Sequence, residues 1–208
     1  MATTVRACAP DIVALQEVGN RWSMGPTGDS TSELSALAGL PHHVHVPALV
    51  DGDHAYGHAL LSSAPIEEVR IELLPRLNDE PRCLLTSRVG DLVVVTTHLS
   101  HLPDERPAQG QVLADRVLAL VDAGDRVLVM GDLNQAVPVA WLDRLTARLL
   151  DADAVAARPT YPARAPTQRL DYLLTSAGSW RSVDVVEEVE ASDHRPLTAV
   201  LDLEGSLD

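Results

Sequence analysis

The run Leu92-Val93-Val94-Val95-Thr96-Thr97 restricts the possible folds more than any other stretch of this chain. Successive side chains of a strand point to opposite faces. A strand that is apolar at three consecutive positions must therefore be covered on both sides, which places it between layers of a mixed α/β structure. Arg82–Val89 precedes it across Gly90-Asp91, a dipeptide suited to a hairpin turn, so the two segments are expected to pair. Ile12–Leu15, His42–Pro47, Gly57–Ser62, Val127–Met130 and Leu170–Thr175 read as further short strands, with Asp51-Gly52 turning the chain between the second and third. Leu197, Ala199, Leu201 and Leu203 alternate as one face of a last strand.

Helical segments fall between these strands. Thr3–Ala9 reads as the end of a helix closed by Pro10, and Ser30 with Glu33 forms a capping-box pattern for a helix that Gly39 ends. Leu113, Val117, Leu120 and Val121 mark one face of a third helix, and Trp141–Leu149 reads as a fourth. Strands outnumber helices and several are joined by hairpins, so the expected architecture is a single α/β sandwich domain with mixed sheets over residues 1–208. A chain of 208 residues suits one domain of the usual roughly 100–200 residues. No apolar run approaches the roughly 18 residues that a membrane-spanning helix requires. Met1–Pro10 carries no signal-peptide pattern, and the location in the cell is left open between cytoplasm and secretion. Cys8 and Cys83 sit in no metal or redox spacing.

The chain carries 30 acids against 16 bases, all of them Arg, for a formal net charge of −14. Non-specific nucleic-acid affinity comes from cationic side chains displacing counterions around phosphates, so this charge disfavours such a role. It leaves open a cation that brings phosphate to an acidic protein.

Polar residues cluster where the strands end. Ile12–Leu15 runs into Gln16-Glu17, Val93–Thr97 into His98, and Val127–Met130 into Gly131-Asp132-Leu133-Asn134. Asp171 lies in Arg169-Leu170-Asp171-Tyr172, and Ser192-Asp193-His194 precedes the last strand. Four carboxylates in one pocket would repel one another without a cation, and hard oxygen ligands suit Mg²⁺ or Mn²⁺. Each piece also has a bland reading: an Asx turn or helix cap for Asp132 and Asn134, a turn for Ser192-Asp193, a solvated strand end for Glu17, a core imidazole for His98, a surface ion pair for Asp171 with Arg169.

Taken in order, Leu15-Gln16-Glu17, Tyr56-Gly57…Leu61-Ser62, Thr97-His98-Leu99, Gly131-Asp132-Leu133-Asn134, Arg169-Leu170-Asp171-Tyr172 and Ser192-Asp193-His194 resemble the endonuclease/exonuclease/phosphatase superfamily from about Pro10 to Leu203. The resemblance implies a four-layer sandwich, two sheets face to face with helices outside, and a divalent metal at one end. It implies Glu17 as the principal metal ligand and Asp193 near the metal or holding its water. Asp132 would orient or deprotonate the attacking water, and Asn134 would fix that water and a phosphate oxygen. His194 would donate to the phosphate or leaving oxygen, backed by Asp171 on its other ring nitrogen. His98 would hold a non-bridging oxygen. Apart from the resemblance, Arg82, Arg106, Arg169 and Arg195 flank these motifs; Arg82 and Arg169 are candidate phosphate clamps, while a solvated or ion-paired role suits Arg106 and Arg195 at least as well.

Two departures accompany the resemblance. The family opens with a strand carrying an Asn, whereas Met1 falls inside what reads as the first helix, and neither Asn20 nor Asn78 is placed to replace it. The expectation is a start short of that strand, the alternative a diverged remnant. Thr96 stands where many members carry Asn. The histidines at 42, 43, 45, 54 and 58 include a pair, His43 and His45, spaced for zinc, although a surface strand explains them better. The expected function is Mg²⁺- or Mn²⁺-dependent hydrolysis of a small or lipid-derived phosphate ester. A nuclease of the same fold and a non-catalytic binding or scaffold module stand as alternatives.

Overall fold

In the computed structural model, which describes residues 1–22, 28–78 and 80–204, the segment Leu92–His98 is the third strand of a six-stranded sheet and is buried throughout. In chain order the elements are α1 (Ala2–Cys8), β1 (Ile12–Asn20), α2 (Ser30–Ala38), β2 (His42–Asp51), β3 (His54–Ser62), β4 (Ile66–Leu73), β5 (Cys83–Val89) and β6 (Leu92–His98). There follow α3 (Arg106–Asp122), β7 (Arg126–Asp132), α4 (Ala140–Thr146), β8 (Leu150–Asp151), β9 (Asp171–Thr175), β10 (Ser179–Val185) and β11 (Leu197–Asp202). The large sheet has the order β4-β5-β6-β7-β9-β8. Its one parallel pair is β6 with β7, the pair that a helix, α3, connects, because parallel neighbours need a long crossover.

The alternation along β6 shows why both faces had to be apolar. Val93 and Val95 join Leu113 and Val117 of α3, Trp141 and Leu145 of α4, and Val129 of β7 in one core. Leu92 and Val94 join Leu85, Leu128, Val46 and Leu60 in a second, which also receives Trp180 of β10 and Leu201 of β11. The smaller sheets β1-β3-β2 and β10-β11 thus cover the same face of the large sheet. Helix α2 packs on β1 and β2, with α1 beside it. The layers run helices, six-stranded sheet, divided sheet, helices. Among the described residues no strand pairing joins β1 to β11, so the second layer is in two pieces.

Several boundaries differ from the sequence reading for physical reasons. Asp29, not Ser30, caps α2: its Oδ1 accepts the Ser32 N–H at 3.1 Å while Ser30 is already helical. β2 continues past Pro47 because it is an edge strand, where a residue without an N–H costs no ladder bond. The fourth helix is shorter, ending at Thr146. β4 and β10 went unread because charge masks the first, an edge strand with the sequence IEEVRIEL, and a register shift between Trp180 and Ser182 breaks the alternation of the second. The histidine pair has protein partners: His43 Nδ1 lies 3.0 Å from Ser35 Oγ and His45 Nε2 3.0 Å from the Val18 carbonyl.

Candidate active site

Strands β6, β7 and β9 end together, and their register aligns three side chains in one row. His98 stands opposite Asp132, and Asp132 opposite Asp171. A Cβ at Gly131 (φ 149°) would lie 2.1 Å from the Thr97 carbonyl oxygen, so only glycine allows the approach of β7 to β6 just before Asp132. The ladder carries on past the strands, Leu99 N–H donating to the Asp132 carbonyl (3.0 Å) and Leu133 N–H to that of Leu170 (2.9 Å). Asn134 sits in the left-handed region (φ 49°), a conformation Asn tolerates. Its backbone N–H donates to Asp132 Oδ1 at 2.7 Å and its Nδ2 to the Leu99 carbonyl at 2.8 Å. The Asx turn is real, and it fixes the Asp132 carboxylate.

The fourth group arrives from the loop between β10 and β11. That loop is strapped to residues 160–163: Ala163 N–H donates to the Asp193 carbonyl (2.6 Å), Arg195 N–H to the Thr160 carbonyl (2.8 Å) and Arg195 Nε to the Ala163 carbonyl (2.7 Å). His194 is thereby delivered with Nδ1 2.8 Å from Asp171 Oδ2 and Nε2 3.8 Å from Asp132 Oδ2. The Tyr161 ring packs on the imidazole, centroids 4.9 Å apart. Ligand atoms of Asp132, Asp171 and His194 all lie within 4.8 Å of one another.

Burial sets the electrostatics. Asp132 is pushed up to about 7, by burial first and the Asp171 charge second, against the opposing pull of His194 and the Asn134 N–H. Burial works against a charged His194, but the hydrogen bond and charge of Asp171, with Asp132 and Asp193 behind it, raise it to about 9. His98 is held well below the ordinary imidazole range by burial and then by the Arg82 charge. The site therefore contains a carboxylate whose negative charge is under strain, a cationic imidazole and a neutral one.

Glu17 reaches its position by a different device. Gln16 and Glu17 together oppose His58 in a bulge, and Glu17 takes φ 57°. A bulge re-aims a side chain, and here it leaves Glu17 exposed while its carboxylate accepts from the Tyr56 hydroxyl. Burial first and Glu17 second raise Tyr56 above its ordinary value. Asp193 is exposed beside His194, and neither it nor Glu17 belongs to the cluster of Asp132, Asp171 and His194.

The two arginines expected to clamp phosphate are committed to protein partners. Arg169 Nη2 donates to Asp151 at 2.5 Å and its guanidinium stacks 4.2 Å over the Tyr172 ring. Arg82 has a side chain only 7% exposed and binds Glu80 (2.8 Å) and His98 (2.7 Å). Tyr161 lies outside the motifs of the sequence, and Tyr56 is part of one. Tyrosine is itself the signal: all three in the chain border this site, Tyr172 through a 2.7 Å bond to the carbonyl of Gln135, beside Asn134.

The donor set suits a divalent cation. Two adjacent carboxylates, one strained by burial and by the other, gain most from a bound positive charge, and oxygen donors select a hard ion such as Mg²⁺ or Mn²⁺.

The sequence profile of the Endonuclease/Exonuclease/phosphatase family matches residues 1–194, and the chain belongs to that family. No curated protein matches it in sequence. Among solved structures it is similar to a mannosyl-6-phosphatase of Bacteroides thetaiotaomicron, with 16% identity and TM-score 0.74 over 97% of this chain and 88% of that one. It is also similar to a truncated TDP2 of Caenorhabditis elegans (20%, 0.64, covering 94% and 88%) and to the human Nocturnin catalytic domain with bound sulfate (18%, 0.63, covering 95% and 87%).

Proposed function

We propose that the chain hydrolyses a small or lipid-derived phosphate ester by in-line attack of a water molecule, with Mg²⁺ or Mn²⁺ as cofactor. The observation that carries this reading is the row His98–Asp132–Asp171 closed by His194 on Asp171 at 2.8 Å. It joins a proton acceptor, a proton donor and a neutral hydrogen-bond donor within one pocket. Asp132 takes the proton of the attacking water, and Asn134 orients that water and a phosphate oxygen. His194, kept cationic by Asp171, gives its Nε2 proton to the leaving oxygen. His98 holds a non-bridging oxygen. Glu17 would hold the cation, with Asp193 near it or its water; bound there, the cation polarises the phosphoryl group and offsets charge that develops on its oxygens. A second placement, on Asp132, Asp171 and His194, whose ligand atoms lie within 4.8 Å of one another, would need a neutral His194 and so replaces these proton-transfer roles rather than adding to them.

The net charge of −14 supports a small substrate over nucleic acid. In this reading purified protein hydrolyses bis-p-nitrophenyl phosphate with Mg²⁺ or Mn²⁺, and EDTA, Asp132→Ala or His194→Ala abolishes the activity. Folded protein inactive on monoesters, diesters and plasmid DNA alike would overturn the hydrolase reading in favour of the binding-module alternative. Nicking of plasmid in preference to inositol phosphates and sphingomyelin would establish the nuclease.

A further inference from the structure

Arg82 immediately precedes β5, its guanidinium 2.7 Å from His98 Nδ1 and 2.8 Å from Glu80. A guanidinium has only N–H donors and stays charged in proteins. The imidazole nitrogen facing it must therefore be the one without a proton. The proton of a neutral His98 then sits on Nε2, the atom 3.4 Å from Asp132 Oδ2. The pair is sealed in, with His98 7% and Arg82 6% exposed, so water cannot readily substitute for either partner.

We infer that Arg82 is a positioning residue that locks His98 in the Nε2–H tautomer, so that the ring offers the pocket a fixed donor without a second positive charge. Arg82 acts through His98 and does not grip substrate. The reason such a lock matters is geometric. Without it, the Nδ1–H tautomer would turn a lone pair toward the phosphoryl oxygen that His98 is meant to hold, replacing an attraction by a repulsion. The same geometry disfavours the imidazolium, since a proton on Nδ1 would face the guanidinium donor at 2.7 Å.

The kinetic part of this inference rests on the hydrolase reading; the tautomer does not, and the two are measured separately. Long-range ¹H–¹⁵N correlation spectra of histidine-labelled protein near neutral pH, assigned with His98→Gln, report the ring directly. Wild type is expected to show His98 neutral with the proton on Nε2, and Arg82→Met to show mixed tautomers. Arg82→Lys, which also presents only donors, is expected to retain the bias. On bis-p-nitrophenyl phosphate, Arg82→Met should lower kcat by about 10- to 100-fold with KM changed far less, and Arg82→Lys should recover part of the loss. An Nδ1–H or doubly protonated His98 in wild type overturns the inference even if Arg82→Met does not fold. So does an unchanged tautomer in a folded Arg82→Met, or a loss confined to KM. Inactive wild type with the expected tautomer overturns the hydrolase reading instead.

Discussion

Asp171 acts on both of its neighbours with opposite results. It favours the charged form of His194 and makes Asp132 reluctant to ionise, so one carboxylate shifts both neighbours; in the proposed mechanism these are the proton donor and the proton acceptor. The direction of the resulting pH dependence follows from linkage. His194 has an ordinary value of 6.5 and is raised to about 9 in the fold, so its pairing with Asp171 contributes its full stabilisation below about 6.5 and loses it as pH rises through about 9. The repulsion between Asp171 and Asp132 grows over part of the same range and has the same sign. The stability difference between wild type and Asp171→Asn, measured by urea unfolding in chelator, should therefore be largest in mildly acidic solution, where Asp171 is ionised and His194 charged, and shrink from neutral pH to about 9. A difference that did not shrink over this range would mean that Asp171 does not hold His194 charged in the folded protein. Residue-scale roles were readable in the sequence only as types: that Asp132 and Asn134 could form an Asx turn was visible, but that the turn would serve the carboxylate was not.

At the scale of elements, the placement of the site depends on how closely β7 and the helices behind it can approach their neighbours. Gly110 of α3 faces the Trp141 ring of α4, where an added Cβ would lie 2.3 Å from a ring carbon. Trp141 is 5% exposed and packed in the helix-side core, so it has little room to yield. Gly110→Ala gains about 1 kcal/mol of helix propensity but overpacks the contact at a cost of about 1–3 kcal/mol. Net destabilisation is expected in chemical denaturation, and a stabilised variant would show that α4 can shift away. Strands with all-apolar or alternating patterns were legible because burial alone dictates them. β4 and β10 were not, since an edge strand needs charge more than apolar faces and a bulge shifts the alternation by one residue.

For the molecule as a whole, the balance to resolve is a strongly acidic chain, of net charge −14, that sets Asp132 and Asp171 side by side where β7 and β9 meet. A cation that binds only the folded state raises stability by mass action. Millimolar Mn²⁺ should raise the thermal midpoint of wild type, and the shift should be lost in the variants that remove its ligands. If Glu17→Gln abolishes the shift and Asp171→Asn leaves it, the cation sits on Glu17; the reverse places it on the cluster of Asp132, Asp171 and His194. A midpoint that Mn²⁺ does not move would argue against a resident divalent cation. The divided second layer belongs to this scale too, because it is a property of β1 and β11 together and of neither strand alone.

The sequence by itself determined the layered α/β class, through strands such as Leu92–Thr97 that cannot tolerate water on either face, and it determined which strand ends carry polar groups. Local patterns suffice for that, since burial and alternation are written residue by residue. Only the tertiary structure decided the register that aligns His98, Asp132 and Asp171, the strapping of the 193–195 loop that delivers His194, and the pairing of Arg82 with Glu80 and His98 and of Arg169 with Asp151. Each of these depends on pairing between segments far apart in the chain. Whether an arginine meets phosphate, a carboxylate or an imidazole is settled by what the fold places against it.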